Sequence, residues 1–200
     1  MKKKEFLERH STKLSFAVLL VDDFSNREPI CRVEVSLNGR KEKPVKNLSS
    51  YYIFLDLPDD TYTVQVRSDY YFNEELDITA ELDAKDPVVN ITLKPKPSYP
   101  FPPGATLIRG KVYDSGGKAV SSAKVRVKEK GVENKTTEKG EFVLYFGPLI
   151  EDEIIEVDGK RFVKGDEDNI LHLEVEYEGV TKTMGLEVGE GGKKSVTSIQ

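Results

Sequence analysis

Between Lys94 and Ala105 the chain reads KPKPSYPFPPGA, and Pro95, Pro97, Pro100, Pro102 and Pro103 are five of its ten prolines. Proline fixes φ, has no N–H to donate and pushes its predecessor out of the helical region, so this stretch is barred from a helix and from the interior of a sheet. It is expected to run extended and to divide 200 residues into two halves, each the size of a small domain. The predicted organisation is a lead-in over 1–12, a first domain over 13–94, a linker over 95–104 and a second domain over 105–200. Tyr99 and Phe101, set among the prolines, predict that the linker packs against one or both domains.

Both halves read as strands. LSFAVLLVD, RVEVSLN, YYIFLDL, TYTVQVR, ELDITAEL and VVNITLK in the first half are short, mostly alternating and separated by Asp, Asn, Pro and Gly clusters. The second half continues with TLIRGKVYD, AKVRVKE, GEFVLYF, DEIIEVD, ILHLEVEYE, TKTMGLEV and SVTSI. No window carries the i, i+3, i+4, i+7 stripe of an amphipathic helix. The fold class is therefore all-β, two β-sandwiches in tandem. Asp158-Gly159 and Glu178-Gly179 fall between apolar runs and predict tight hairpins. Displaced by about 90 residues, as expected of an internal repeat, the first half lays VLLVDD over RGKVYD, RVEVSL over KVRVKE and SSYYIFLDL over KGEFVLYFG.

The stretch from Pro29 to Ile78 resembles the carboxypeptidase regulatory-like, transthyretin-like sandwich domains, to which Cna B-type repeats are similar. The resemblance rests on Tyr52, Phe54, Leu57, Pro58, Tyr62, Val64 and Val66, with Asp59-Asp60 where that family places a turn glycine. In the second half Gly110, Val112, Asp114, Ala123, Val125, Thr137, Gly140, Phe142 and Leu144 fit the same pattern, which lapses after Pro148. The resemblance implies two immunoglobulin-like, transthyretin-like sandwiches and modules that serve as stalks, spacers or recognition pieces. Alternation directs Tyr52, Phe54, Tyr62, Val64 and Val66 into the gap between two sheets.

Composition removes several functions. Thirty Lys+Arg against 35 Asp+Glu give a net charge of −5, without the basic footprint of a nucleic-acid binder. Absence of a run of 18 apolar residues argues against a membrane span. Lys2, Lys3 and Lys4 before Leu14–Val21 make a poor signal peptide, because Glu5, Glu8 and Arg9 intervene and Asp22-Asp23 follow. A cytoplasmic protein is expected, with a secreted or surface location the alternative. N-x-S/T triplets at Asn47, Asn90 and Asn134 matter only in the second case. One cysteine, Cys31, and two histidines, His10 and His172, are too few for a Cys/His zinc site and leave a hydrolytic triad short of bases. No cofactor or metal is expected, and no enzyme.

The remaining clusters invite simple readings. Asp166-Glu167-Asp168-Asn169 has oxygen ligands that suit calcium but lacks EF-hand spacing, and reads as a solvated hairpin loop. Asp22-Asp23 and Asp59-Asp60 read as solvated acidic pairs guarding strand ends. Lys111 or Lys124 with Asn169 and Glu141 would supply the partners of an intramolecular isopeptide bond, as the resemblance to Cna B-type repeats suggests, yet both lysines alternate outward. The aromatics Tyr51, Tyr70, Tyr71, Phe72, Tyr99 and Phe101 are the candidate partner-binding residues, since tyrosine suits interfaces. The expectation is a non-catalytic structural or adaptor protein that acts as a spacer or docks a protein partner. The alternative is a module binding glycans or a cell surface through Tyr51, Tyr70 and Tyr71.

Overall fold

The structure, a computed structural model, describes residues 11–41, 43–80, 87–166 and 169–199. Residues 1–10 of the expected lead-in, and Glu167 and Asp168 of the acidic loop, lie outside the described residues. The chain divides into two compact units. The first holds the described residues of Met1–Val21, Arg27–Ser68 and Asn73–Leu93, and the second takes Asp22–Asn26, Asp69–Phe72 and the chain from Lys94 onward.

In the first unit the strands are β1 (Leu14–Asp22), β2 (Glu34–Leu37), β3 (Val45–Lys46), β4 (Tyr51–Leu55), β5 (Thr61–Arg67), β6 (Glu74–Thr79) and β7 (Val88–Leu93). They form one sheet ordered β3-β4-β1-β7 and another ordered β2-β5-β6. Strand β5 shows why the sequence alternates: Tyr62, Val64 and Val66 are buried while Thr61 and Arg67 face water. Phe16 of β1 stacks on Phe54 of β4 at 4.7 Å and lies 6.3 Å from Tyr62, so the aromatics of the family-like pattern build the core. Each such side chain contributes about 1.5–3 kcal/mol of burial. Tyr52, expected inside, is only half-buried near the strand's start, where the Lys46 ammonium lies over its ring at 5.3 Å.

The second unit contains β8 (Leu107–Val112), β9 (Lys124–Val127), β10 (Val132–Lys135), β11 (Glu141–Tyr145), β12 (Ile154–Val157), β13 (Lys160–Val163), β14 (Ile170–Tyr177), β15 (Val180–Glu187) and β16 (Lys193–Ile199). One sheet runs β11-β8-β16, with β16 parallel to β8; the other runs β10-β9-β14-β15, and β12-β13 is a separate hairpin. Ile108, Val125, Val127, Phe142, Leu144, Leu171 and Leu173 fill the space between the sheets. This is an all-β protein of sandwich units.

The two units share a topology. β4-β1-β7 corresponds to β11-β8-β16, and β2-β5-β6 corresponds to β9-β14-β15. The displacement that aligns the sequences pairs the same strands, β1 with β8, β2 with β9 and β4 with β11. The short additions differ, β3 joining β4 in the first unit and β10 joining β9 in the second. Between β4 and β5 the first unit has a brief turn through Leu57 and Pro58. At the corresponding place the second inserts β12-β13, which is why the family-like pattern lapses after Pro148. That hairpin and β14-β15 close as their sequences predict: Asp158 and Gly159 have φ of 51° and 72°, Glu178 and Gly179 49° and 79°. Two consecutive positive φ angles make the turn whose twist matches antiparallel strands.

The proline segment departs from expectation. It belongs to the second unit, and it is not simply extended: Pro95 bridges Tyr71 as an antiparallel pair, and turns follow at Lys96–Tyr99 and Pro102–Ala105. A proline is tolerated in that bridge because the hydrogen bonds fall on its neighbours, Phe72 N–H donating to Lys94 C=O and Lys96 N–H to Tyr70 C=O. Pro95 sits where no ladder donor is required.

Candidate functional site

Strands β8 and β11 are apolar on both faces at the end where Leu107 and Ile108 pair with Tyr145 and Leu144. Ile108 and Leu144 enter the main core, while Leu107, Val143 and Tyr145, pointing the other way, are also buried. The unbroken run Phe142–Phe146 records this, since a sheet covered on both sides loses its polar alternation. What covers the second face is the proline segment and Asp22–Asn26, through Phe24, Phe101 and Ala105. Phe24 meets Phe101 edge-on at 5.1 Å and Tyr145 at 5.8 Å; Tyr99 lies 4.6 Å from Phe101 and 5.5 Å from Tyr71.

Two carboxylates organise these rings. Asp22 is fully buried, and its Oδ2 accepts the hydroxyls of Tyr71 at 2.9 Å and Tyr99 at 2.6 Å. Its Oδ1 accepts the backbone N–H of Phe24 at 2.8 Å and of Ser25 at 3.3 Å, which forms a turn at the end of β1. Asp23 Oδ2 accepts the Tyr145 hydroxyl at 2.5 Å. Burial, reinforced by that carboxylate, pushes the Tyr145 phenol far above its ordinary range. The solvated reading of Asp22-Asp23 is thus corrected: Asp22 is an interior hydrogen-bonding hub. Nothing in the local pattern marks it, because its partners lie 49 and 77 residues away.

Further bonds fix the proline backbone. Asn134, 4% exposed, donates both amide hydrogens, to Pro95 C=O at 2.9 Å and Val143 C=O at 3.0 Å, so this N-x-T asparagine has no free amide to modify. Arg109 donates to Pro97 C=O at 2.7 Å with its guanidinium 5.4 Å from the centre of Phe101.

The six candidate aromatics therefore separate. Tyr71, Phe72 and Tyr99 are buried, and none of them is available as a contact surface. Tyr51, Tyr70 and Phe101 are half-buried, Tyr51 on β4 of the first unit and the other two in the second unit. Phe72 carries the Lys135 ammonium over its ring at 5.1 Å. Tyr71 and Tyr99 do meet, but as hydrogen-bond donors inside the unit. The isopeptide grouping is not assembled: Lys111 pairs with Glu141 at 2.9 Å on the sheet surface, Lys124 pairs with Glu133 at 2.9 Å, and the Asn169 amide donates to Glu187. Asp166 is exposed, and among the described residues no three His, Cys, Asp or Glu side chains converge as a metal site.

Two grooves flank the cluster, both within the second unit. One, about 670 Å³, lies along Phe24, Pro102, Phe146 and Pro148 and includes Ser25, whose buried hydroxyl has no partner. The other, about 700 Å³, is lined by Pro97, Ser98, Arg109, Lys111, Glu141 and Ser195, with Gly110, Tyr113, Phe142 and Val196 completing it. Burial lowers the pKa of Arg109.

No family model matches the chain, and no curated protein matches it. Among solved structures, the Bacillus anthracis TIE protein is 13% identical with a TM-score of 0.29, covering 94% of this chain and 33% of its own. A streptococcal ancillary pilin is 13% identical with a TM-score of 0.31, covering 94% of this chain and 62% of its own. The chain thus spans a third of one and about three fifths of the other. Among the described residues no helix is long and apolar enough to cross a membrane.

Proposed function

We propose that this chain is a non-catalytic structural or adaptor protein, a tandem of sandwich units similar to carboxypeptidase regulatory-like domains, working as a spacer or docking module in a larger protein assembly. The observation that carries the reading is the fastening of the proline segment. Two aspartates, three tyrosines and Asn134 are committed to holding rings and backbone in place. Groups committed in this way serve architecture, since a general acid or nucleophile needs its polar atom open to substrate. Glycan binding through Tyr51, Tyr70 and Tyr71 is less well supported, because Tyr71 is 0% exposed.

Affinity capture from source cells, combined with turnover assays over a broad hydrolase and transferase substrate panel, tests the reading. The expected result is a stoichiometric protein partner and no turnover. Turnover abolished by one point substitution, without a stoichiometric partner, overturns it.

A further inference from the structure

Arg109 is set apart from the other cations of its face. Next to it in the groove Lys111 is neutralised by Glu141, directly opposite on β11, and that pairing holds the Lys111 ammonium above its ordinary pKa. Arg109 has no carboxylate partner among the described residues. Its two neighbours across the sheet are Val143 on β11 and Ser195 on β16, neither of them acidic. A half-buried guanidinium without a counter-charge is unfavourable by itself, and burial works against its charge.

The guanidinium is nonetheless held in position. Pro97 C=O takes one Nη1 hydrogen, and the Phe101 ring packs against the plane. The rest of the donor fork lines the groove together with Ser98 and the exposed Ser195, whose hydroxyl has no hydrogen-bond partner among the described residues. Ser195 keeps its register with Arg109, and the pairing of β16 with β8 shifts only beyond Val196. A planar five-donor fork that is already oriented loses little freedom when it takes a second planar group.

We propose that Arg109 is the receptor for one carboxylate group, bound in this groove as a fork-to-fork pair with Ser195 as an auxiliary donor. A monoanion matches the single uncompensated charge, since Lys111 and Glu141 in the same groove cancel each other. The carboxylate has two sources, a free carboxylic acid or an acidic side chain or chain terminus of a protein. Only the second rests on the docking role proposed above.

The test follows the Arg109 Nε–Hε and Ser195 amide signals by NMR in the full chain during titration with sodium acetate, with sodium chloride at matched ionic strength as control. The expected result is a saturable shift with acetate alone. R109Q abolishes it, and R109K, which keeps charge but loses the fork, weakens it about fivefold or more. Melting curves confirm that the variants are folded; if R109Q is not, R109K carries the comparison. A shift that is absent, equal with chloride, or retained in R109Q overturns the proposal. Parallel titrations use the peptides Ac-Ala-Glu-Ala-NH2 and Ac-Ala-Ala-OH. Tighter binding of either than of acetate assigns the carboxylate to a protein, by side chain or by terminus. Acetate binding with no gain from either peptide leaves the Arg109 site standing for a free acid and withdraws its docking role.

Discussion

Tyr71 and Tyr99 donate to the same oxygen of a fully buried carboxylate, so removing their hydroxyls one at a time weighs the Asp22 hub directly. Tyr99→Phe keeps the ring and deletes a 2.6 Å bond to Asp22 Oδ2. A hydrogen bond to a charged group contributes about 1.5–3 kcal/mol, and Tyr99→Phe is expected to lower stability by that much. Tyr71→Phe, through a 2.9 Å bond, belongs in the lower part of the same range. The double substitution is the sharper experiment. After one loss Oδ2 still has a phenol donor; after both it has none, while Oδ1 keeps its two backbone N–H groups. The second removal then leaves half of a buried carboxylate unsatisfied. The two effects should therefore sum to less than the double, with a coupling of about 0.5–3 kcal/mol. Guanidinium unfolding of the full chain, followed by tyrosine signals because there is no tryptophan, measures all four corners of the cycle. Single losses below about 0.5 kcal/mol, or strict additivity, would refute the hub, for they would mean that the oxygen is solvated or satisfied otherwise.

Three further outcomes follow from the geometry. Gly110→Ala is expected to destabilise by about 1–3 kcal/mol in thermal or chemical melts, because its Cβ would lie 2.7 Å from the Phe142 ring and 2.8 Å from Val196 C=O. Asn134→Asp should cost about as much as Asn134→Ala, roughly 1–3 kcal/mol, since a carboxylate has no hydrogens for Pro95 and Val143 C=O. Hydrogen bonding from Arg126 holds the Glu174 carboxyl below its ordinary 4.5. The stability it adds is thus present above that value and is lost as pH falls through the lowered one. Glu174→Gln should consequently flatten the acid limb of a stability-against-pH curve and leave the alkaline limb unchanged.

The strands were legible in the sequence because each rests on its own period. Tyr62, Val64 and Val66 alternate with Thr61, Thr63, Gln65 and Arg67, and that pattern alone decides which face of β5 is buried. The hairpins at Asp158-Gly159 and Glu178-Gly179 were equally local, fixed by the residues that accept positive φ. The proline segment was legible as a break but not as a packed element. What a proline cannot donate is evident from its own position; whether a donor is needed there depends on Tyr71, 24 positions earlier.

The candidate aromatics show the same divide in a form that bears on function. An excess of tyrosine over what one sandwich needs is visible in composition, and reading it as an exposed platform assumes that each sheet has one wet face. Here β8 and β11 have a second dry face at the end where Leu107 pairs with Tyr145, and Phe101, packed on Tyr99, helps to cover it. The sign of it lay in FVLYF, where alternation stops, rather than in the tyrosines. Covering that face also creates the charge imbalance beside it, because Arg109 follows Leu107 on the covered side of β8 and is half-buried by the same segment. Had the face been wet, Arg109 would have been one more solvated cation like Lys111. The chemistry available to a ligand on this surface is thus a product of how the proline segment packs, and a substitution that loosens Phe101 should weaken acetate binding at Arg109 without touching the guanidinium itself.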